Sequence, residues 1–183
     1  MIITGCQRSG TKTAAKIFGI PHETNFSPEN LENWTLGRKE SECSWLAWPY
    51  IESLKYHHSI IHLVRHPLRV INSIVGIGFW TSNSHEPYRN FILKHLGWEI
   101  EFPLTVGQTI ALSMDYWVQW NKPLMEYPRI RIEDIANAPK LNSQKRDNLS
   151  MEEIKGCVPE ALYAELTELA EEMYYGVSNS PTC

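Results

Sequence analysis

MIITGCQRSGTKTAAKIFG, residues 1–19, is the stretch on which the fold turns. Ile2 and Ile3 read as a short apolar strand, Gly5 to Gly10 as a turn-prone loop, and Thr11 to Phe18 as a helix that stops at Gly19. A strand that feeds a glycine loop and then a helix start is an anion site. Unpaired backbone N–H groups and the positive end of the helix dipole converge on whatever sits in the loop. Gly5 and Gly10 have the separation of the nucleoside-triphosphate loop G-x-x-x-x-G-K-[ST]. Thr11 follows Gly10, however, and Lys12 comes one place late. The cation best placed in the loop is Arg8.

A second unit of the same kind lies further along. Residues 59–64, SIIHLV, form the clearest strand, and their nearly continuous apolar run suits a central parallel strand buried on both faces. The strand ends at Arg65-His66-Pro67, and Pro67 suits the first turn of a helix from Leu68 to Ile77. Two strand–turn–helix units imply an α/β fold on a parallel sheet. Arg65 at the strand end offers a planar fork to phosphate. A kinase or GTPase would instead place an aspartate after such a strand to hold Mg²⁺.

Together these residues identify a resemblance. Gly5-Cys-Gln-Arg-Ser-Gly-Thr11 resembles the loop with which sulfotransferases hold the 5′-phosphosulfate of PAPS (3′-phosphoadenosine 5′-phosphosulfate). Arg8, Ser9, Gly10 and Thr11 match that run, and Lys12 departs from it. Arg65, Pro67 and Ser73 resemble the same family's 3′-phosphate motif. The chain thus resembles compact, bacterial-type PAPS-dependent sulfotransferases, clearly over residues 2–24 and 59–77 and more vaguely over 117–135. The late Arg-Lys-Gly loop of larger cytosolic members has no counterpart.

The resemblance implies one domain over residues 1–183 with a three-layer P-loop-like α/β fold, its central parallel sheet flanked by helices. It implies transfer of a sulfuryl group from PAPS to a hydroxyl or amine, with PAP as product and no metal. Gln7, Arg8, Ser9, Gly10, Thr11, Lys12 and Thr13 would surround the 5′-phosphosulfate, and Arg65 and Ser73 the 3′-phosphate. Arg8 is expected to stabilise charge on the bridging and sulfuryl oxygens, and Lys12 either shares this work or lines the first helix. Glu23 is the first choice as general base, and His22, with a near-neutral unperturbed pKa, the second. A strand-edge pair without catalytic duty is the plainer reading of both.

Elsewhere the pattern is structural. Ile20 to Thr24 reads as a short strand or strand edge, and Asn25 to Glu42 as a polar loop. Ser44 caps an amphipathic helix to Leu54, with Pro49 near its start or kinking it. Gly76 to Pro87 reads as a mobile loop in which Phe79 and Trp80 cover adenine or the acceptor. Helices follow at Tyr88 to Leu96 and within Thr105 to Met125, then a strand at Arg129 to Ile132. Glu133 and Asp134 read as a helix N-cap pair in preference to a metal-holding strand end. Ser150 opens a capping box, and Pro159 a final helix to about Tyr174. His57, His58, His62 and His66 lack ligand spacing, and His62 reads as a satisfied core histidine. Trp34, Trp45, Trp48, Trp80 and Trp98 read as core or cleft wall.

Composition sets the outer limits. With 183 residues, 43% hydrophobic and 21% charged, the chain suits one well-cored soluble domain. A net charge of −4 argues against broad nucleic-acid binding. No apolar stretch suits a membrane span. Met1 running straight into a strand and four cysteines without C-x-x-C spacing point to reduced thiols in a cytoplasmic protein. The acceptor, a small molecule or glycan, is not encoded in any motif. So short a chain implies a small or open-bound acceptor, or a site completed by a second copy of the chain. The competing readings are an ATP/Mg²⁺ small-molecule kinase and a nucleotide-binding module without turnover.

Overall fold

The computed structural model describes residues 1–24, 41–135 and 149–175. Within them, β1 (Ile2–Thr4), β2 (Glu42–Cys43), β3 (Ile60–Val64) and β4 (Arg129–Arg131) form a parallel sheet in the order β2-β1-β3-β4. The register pairs Ile2 with both Glu42 and Ile60, and His62 with Arg129. β3 lies between β1 and β4, as its continuous apolar run requires.

Alternation along the strands divides the core between two faces. Ile3 and Leu63 pack with Ala14 and Ala15 of α1 (Thr11–Phe18), Cys43 and Ile132. Ile2, Ile60 and Val64 face the larger cluster on the other side. That side is filled by α3 (Pro67–Gly76), α5 (Val106–Asn121) and α7 (Glu160–Tyr175), which contribute Val70, Ile71, Ile74, Met114, Trp117 and Leu169. The molecule is an α/β structure with a parallel sheet flanked by helices. No described helix is long and apolar enough to cross a membrane.

Local chemistry sets the helix boundaries. Thr105 caps α5 in a reciprocal box: its hydroxyl accepts from Gln108 N at 3.2 Å, while Gln108 Oε1 accepts from Thr105 N at 2.8 Å. Ser150 and Glu153 repeat the device at α6 (Met151–Gly156). Pro67 opens α3, and Gly19, at φ 65°, ends α1.

Several expectations are corrected. Glu42, read as the end of a polar loop, begins β2. Of the two readings of Ile20 to Thr24 the structure shows the strand edge, a single parallel bridge from His22 to Cys43, with Glu23 next in left-handed backbone at φ 49°. Ser44 does cap, accepting from Leu46 N at 3.1 Å, but it opens a 3₁₀ helix, Trp45–Tyr50, which runs into α2 (Ile51–Leu54). Pro49 lacks the N–H an α-helix would use there. Phe79 and Trp80 cover no ligand: both are fully buried, with Trp80 Nε1 donating to Ser113 Oγ at 2.9 Å. α4 (Glu86–Leu96) starts two residues before Tyr88, with Pro87 in its first turn. Trp34 and most of the loop read over residues 25–42 lie outside the described residues.

Candidate functional site

The strand order dictates where a ligand can sit. From β1 the chain goes to β2 on one side and then returns past β1 to β3 on the other. Connections therefore diverge between β1 and β3, and the crevice beyond their carboxyl ends is where open α/β sheets bind ligands. The loop after β1 carries residues 5–10, and the turn after β3 carries Arg65 and His66. Both sequence units reach the same crevice.

The first loop is tightly specified. A Cβ on Gly5 would lie 2.0 Å from the Leu63 carbonyl oxygen of β3, so only glycine lets the loop start this close to the neighbouring strand. Gly10 has φ 101°, and a Cβ there would meet Ile132 Cγ1 at 2.8 Å. Gly10 is the N-cap of α1 and has no side chain with which to cap it. Ser9 is fully buried and its Oγ has no partner among the described residues. Left-handed backbone at Arg8 (φ 71°) and Gly10 tightens the loop, in which Ser9 N donates to the Cys6 carbonyl at 3.1 Å and Gln7 N to the Tyr116 hydroxyl at 2.8 Å, so neither of these two N–H groups faces a ligand.

Arg8 and Arg65 are held together. Arg8 Nε donates to Ser73 Oγ on α3 at 2.8 Å, and Arg65 Nη1 donates to the Arg8 carbonyl at 3.0 Å. Arg65 Nε is buried without a partner among the described residues. Burial lowers the Arg65 pKa and the charges of Arg69 and Arg8 lower it further, against the opposing pull of Glu133. A fork with an unmet donor beside other cations is suited to an anion.

His22 and Glu23 stand at the other end of the loop. His22 Nε2 lies 3.1 Å from Thr11 Oγ1, on the first residue of α1, and 3.4 Å from Glu23 Oε1. Burial, and then the charge of Glu42, push the Glu23 carboxyl up to about 7, while Lys12 pulls it down. Burial and Lys12 hold His22 below its ordinary value. Both groups are driven toward their neutral forms, so near neutral pH their contact is a polar one more than an ion pair. Lys12 is exposed, with its charge felt by both. Thr13 is half-buried in the first turn of α1. Arg8 and Glu23 are the two non-glycine residues with positive φ among the described residues. Such backbone costs on the order of 1–3 kcal/mol and clusters at functional sites.

Two contributors, Tyr116 and Glu42, escaped the sequence reading, and two, Glu133 and Asp134, were read in another role. Tyr116 of α5 is fully buried and its hydroxyl accepts from Gln7 N at 2.8 Å, fixing the loop from below. Nothing in the helical segment it shares with Met114 and Trp117 singles it out. Glu42 is fully buried beside Glu23. Glu133, expected as an N-cap, instead accepts from His66 N at 3.3 Å and from the Tyr174 hydroxyl at 3.1 Å. Asp134 pairs with Arg131. Only the Arg129–Asp134 alternation and its acidic end hinted at these last contacts. His62, as expected, is a core group: Nε2 lies 2.8 Å from Asn121 Oδ1.

Comparison with protein-family models, with curated proteins and with solved structures finds no match to this chain.

Proposed function

We propose that this protein is a PAPS-dependent sulfotransferase of P-loop-like fold, acting on a hydroxyl or amine of a small molecule or glycan. The observation that carries this reading is the junction of Arg8, Arg65 and Ser73 between the carboxyl ends of β1 and β3, with contacts of 2.8 and 3.0 Å. Two motifs distant in sequence meet there in the order the resemblance requires. The donor set fits a polyanion: guanidinium forks, the orphaned Ser9 hydroxyl and Arg65 Nε, and a glycine cradle that a Cβ at Gly5 or Gly10 would fill.

PAPS supplies an activated sulfuryl group, whose transfer to the acceptor releases PAP. The residues of the chain position and neutralise. The Gly5–Thr13 loop holds the 5′ group, Arg65 and Ser73 the 3′-phosphate, and Arg8 balances charge that builds on the leaving oxygen. Glu23, poised near pH 7, takes the acceptor proton, with His22 beside it on Thr11. The free thiols of Cys6, Cys43 and Cys157 agree with a cytoplasmic setting.

The test is calorimetric titration of wild type and Arg65→Ala with PAP, and separately with ATP and Mg²⁺. PAP binding that survives a chelator and is lost in Arg65→Ala supports the reading. Metal-dependent ATP binding with indifference to PAP would replace it with the kinase reading. PAP binding without any transfer activity would make the chain a binding module.

A further inference from the structure

We propose that Arg69 is a third cation of this site and selects nucleotides that carry a second phosphate remote from the Gly5–Thr13 loop. The inference rests on the PAPS reading and adds a residue that the motifs leave out.

Arg69 lies on α3 one turn before Ser73, at i and i+4, so both side chains project along the same side of the helix. Ser73 holds Arg8 at 2.8 Å, and Arg65 immediately precedes that helix and holds the Arg8 carbonyl. Arg69 is thus set on the rim where Arg8 and Arg65 already meet, and its charge is felt by both Arg65 and His66. Its own guanidinium makes no hydrogen bond or ion pair among the described residues, and the residue is exposed. Arg65 nearby keeps a buried Nε without a partner. Glu133 opposes the charge of Arg65, and its two oxygens already accept from His66 N and the Tyr174 hydroxyl. A chain of net charge −4 that gathers three arginines on one rim is built for a multivalent anion there. The 5′ group occupies the first loop, so this anion is the other phosphate.

The experiment is calorimetry on the full chain with PAP and with 5′-AMP, comparing wild type, Arg69→Ala and Arg69→Lys. Arg69→Ala is expected to weaken PAP by about tenfold while leaving 5′-AMP within about twofold. Arg69→Lys restores part of the loss. Equal weakening of both nucleotides, or no weakening of PAP, overturns the inference and leaves the sulfotransferase reading standing. A wild-type protein that ignores PAP overturns both.

Discussion

Glu23 combines a left-handed backbone with a carboxyl poised near neutrality, and its consequences are measurable in two ways. Its pKa moves from about 4.5 in the unfolded chain to about 7 in the folded one, so between those values the folded protein holds the extra proton. Stability is therefore lost as pH rises through that window, the reverse of an ion-paired carboxylate. The stability advantage of Glu23→Gln over wild type is expected to grow from pH 4.5 to 7 by up to roughly 3 kcal/mol, read from urea unfolding at each pH. A pH-independent difference would mean that the carboxyl is not perturbed. The same substitution is expected to slow sulfuryl transfer by roughly 10²–10⁴-fold; full activity in Glu23→Gln with loss in His22→Gln would move the base to His22. Tyr116→Phe removes the acceptor for Gln7 N and is expected to cost about 1–2 kcal/mol and to weaken PAP binding. The turn from β1 into α1 was legible because Gly5 and Gly10 stand where the backbone needs the absence of a Cβ. Tyr116 and Glu42 were not, since Tyr116 acts on the backbone of Gln7, 109 residues away, and Glu42 on the Glu23 carboxyl beside it.

At the scale of elements, the sharpest constraint is the approach of the first loop to β3. Gly5→Ala sets a Cβ 2.0 Å from the Leu63 carbonyl, against backbone that cannot yield without moving the strand. This substitution is expected to destabilise by more than about 2 kcal/mol and to abolish PAP binding, followed by thermal melting and calorimetry. A stable, binding-competent Gly5→Ala would show that the close contact is not maintained in solution. α1, β3, α3 and α5 were readable because each carries enough residues for a period or a cap to register. β2 was not: two residues, Glu42 and Cys43, show no alternation, and a charged residue in a fully buried strand defies composition. The segment around Phe79 and Trp80 misled for the opposite reason. Its glycine and serine content signals a loop, yet packing against α5 draws both rings into the core.

The whole molecule offers a test that needs no mutation. Nothing that binds only the folded state leaves the melting temperature unchanged: at about one hundred times its Kd, PAP contributes about 2.7 kcal/mol. For a domain of this length, that corresponds to a rise of roughly 5–10 °C in melting temperature. PAP with a chelator present is expected to give the same rise, and ATP with Mg²⁺ much less. A rise only with ATP and metal would count against the sulfotransferase reading. The parallel α/β class was legible from two strand–turn–helix units, but the strand order was not, because nothing in β2 announces on which side of β1 it pairs. That order also fixes when the site comes into being. Arg8 and Ser73 are 65 residues apart, and Arg65 reaches the Arg8 carbonyl across 57. During synthesis the glycine turn leaves the ribosome with neither partner, and no length of chain that stops short of α3 can close the cradle. On the proposed reading, capacity for the nucleotide therefore waits until β3 pairs with β1 and α3 folds behind it.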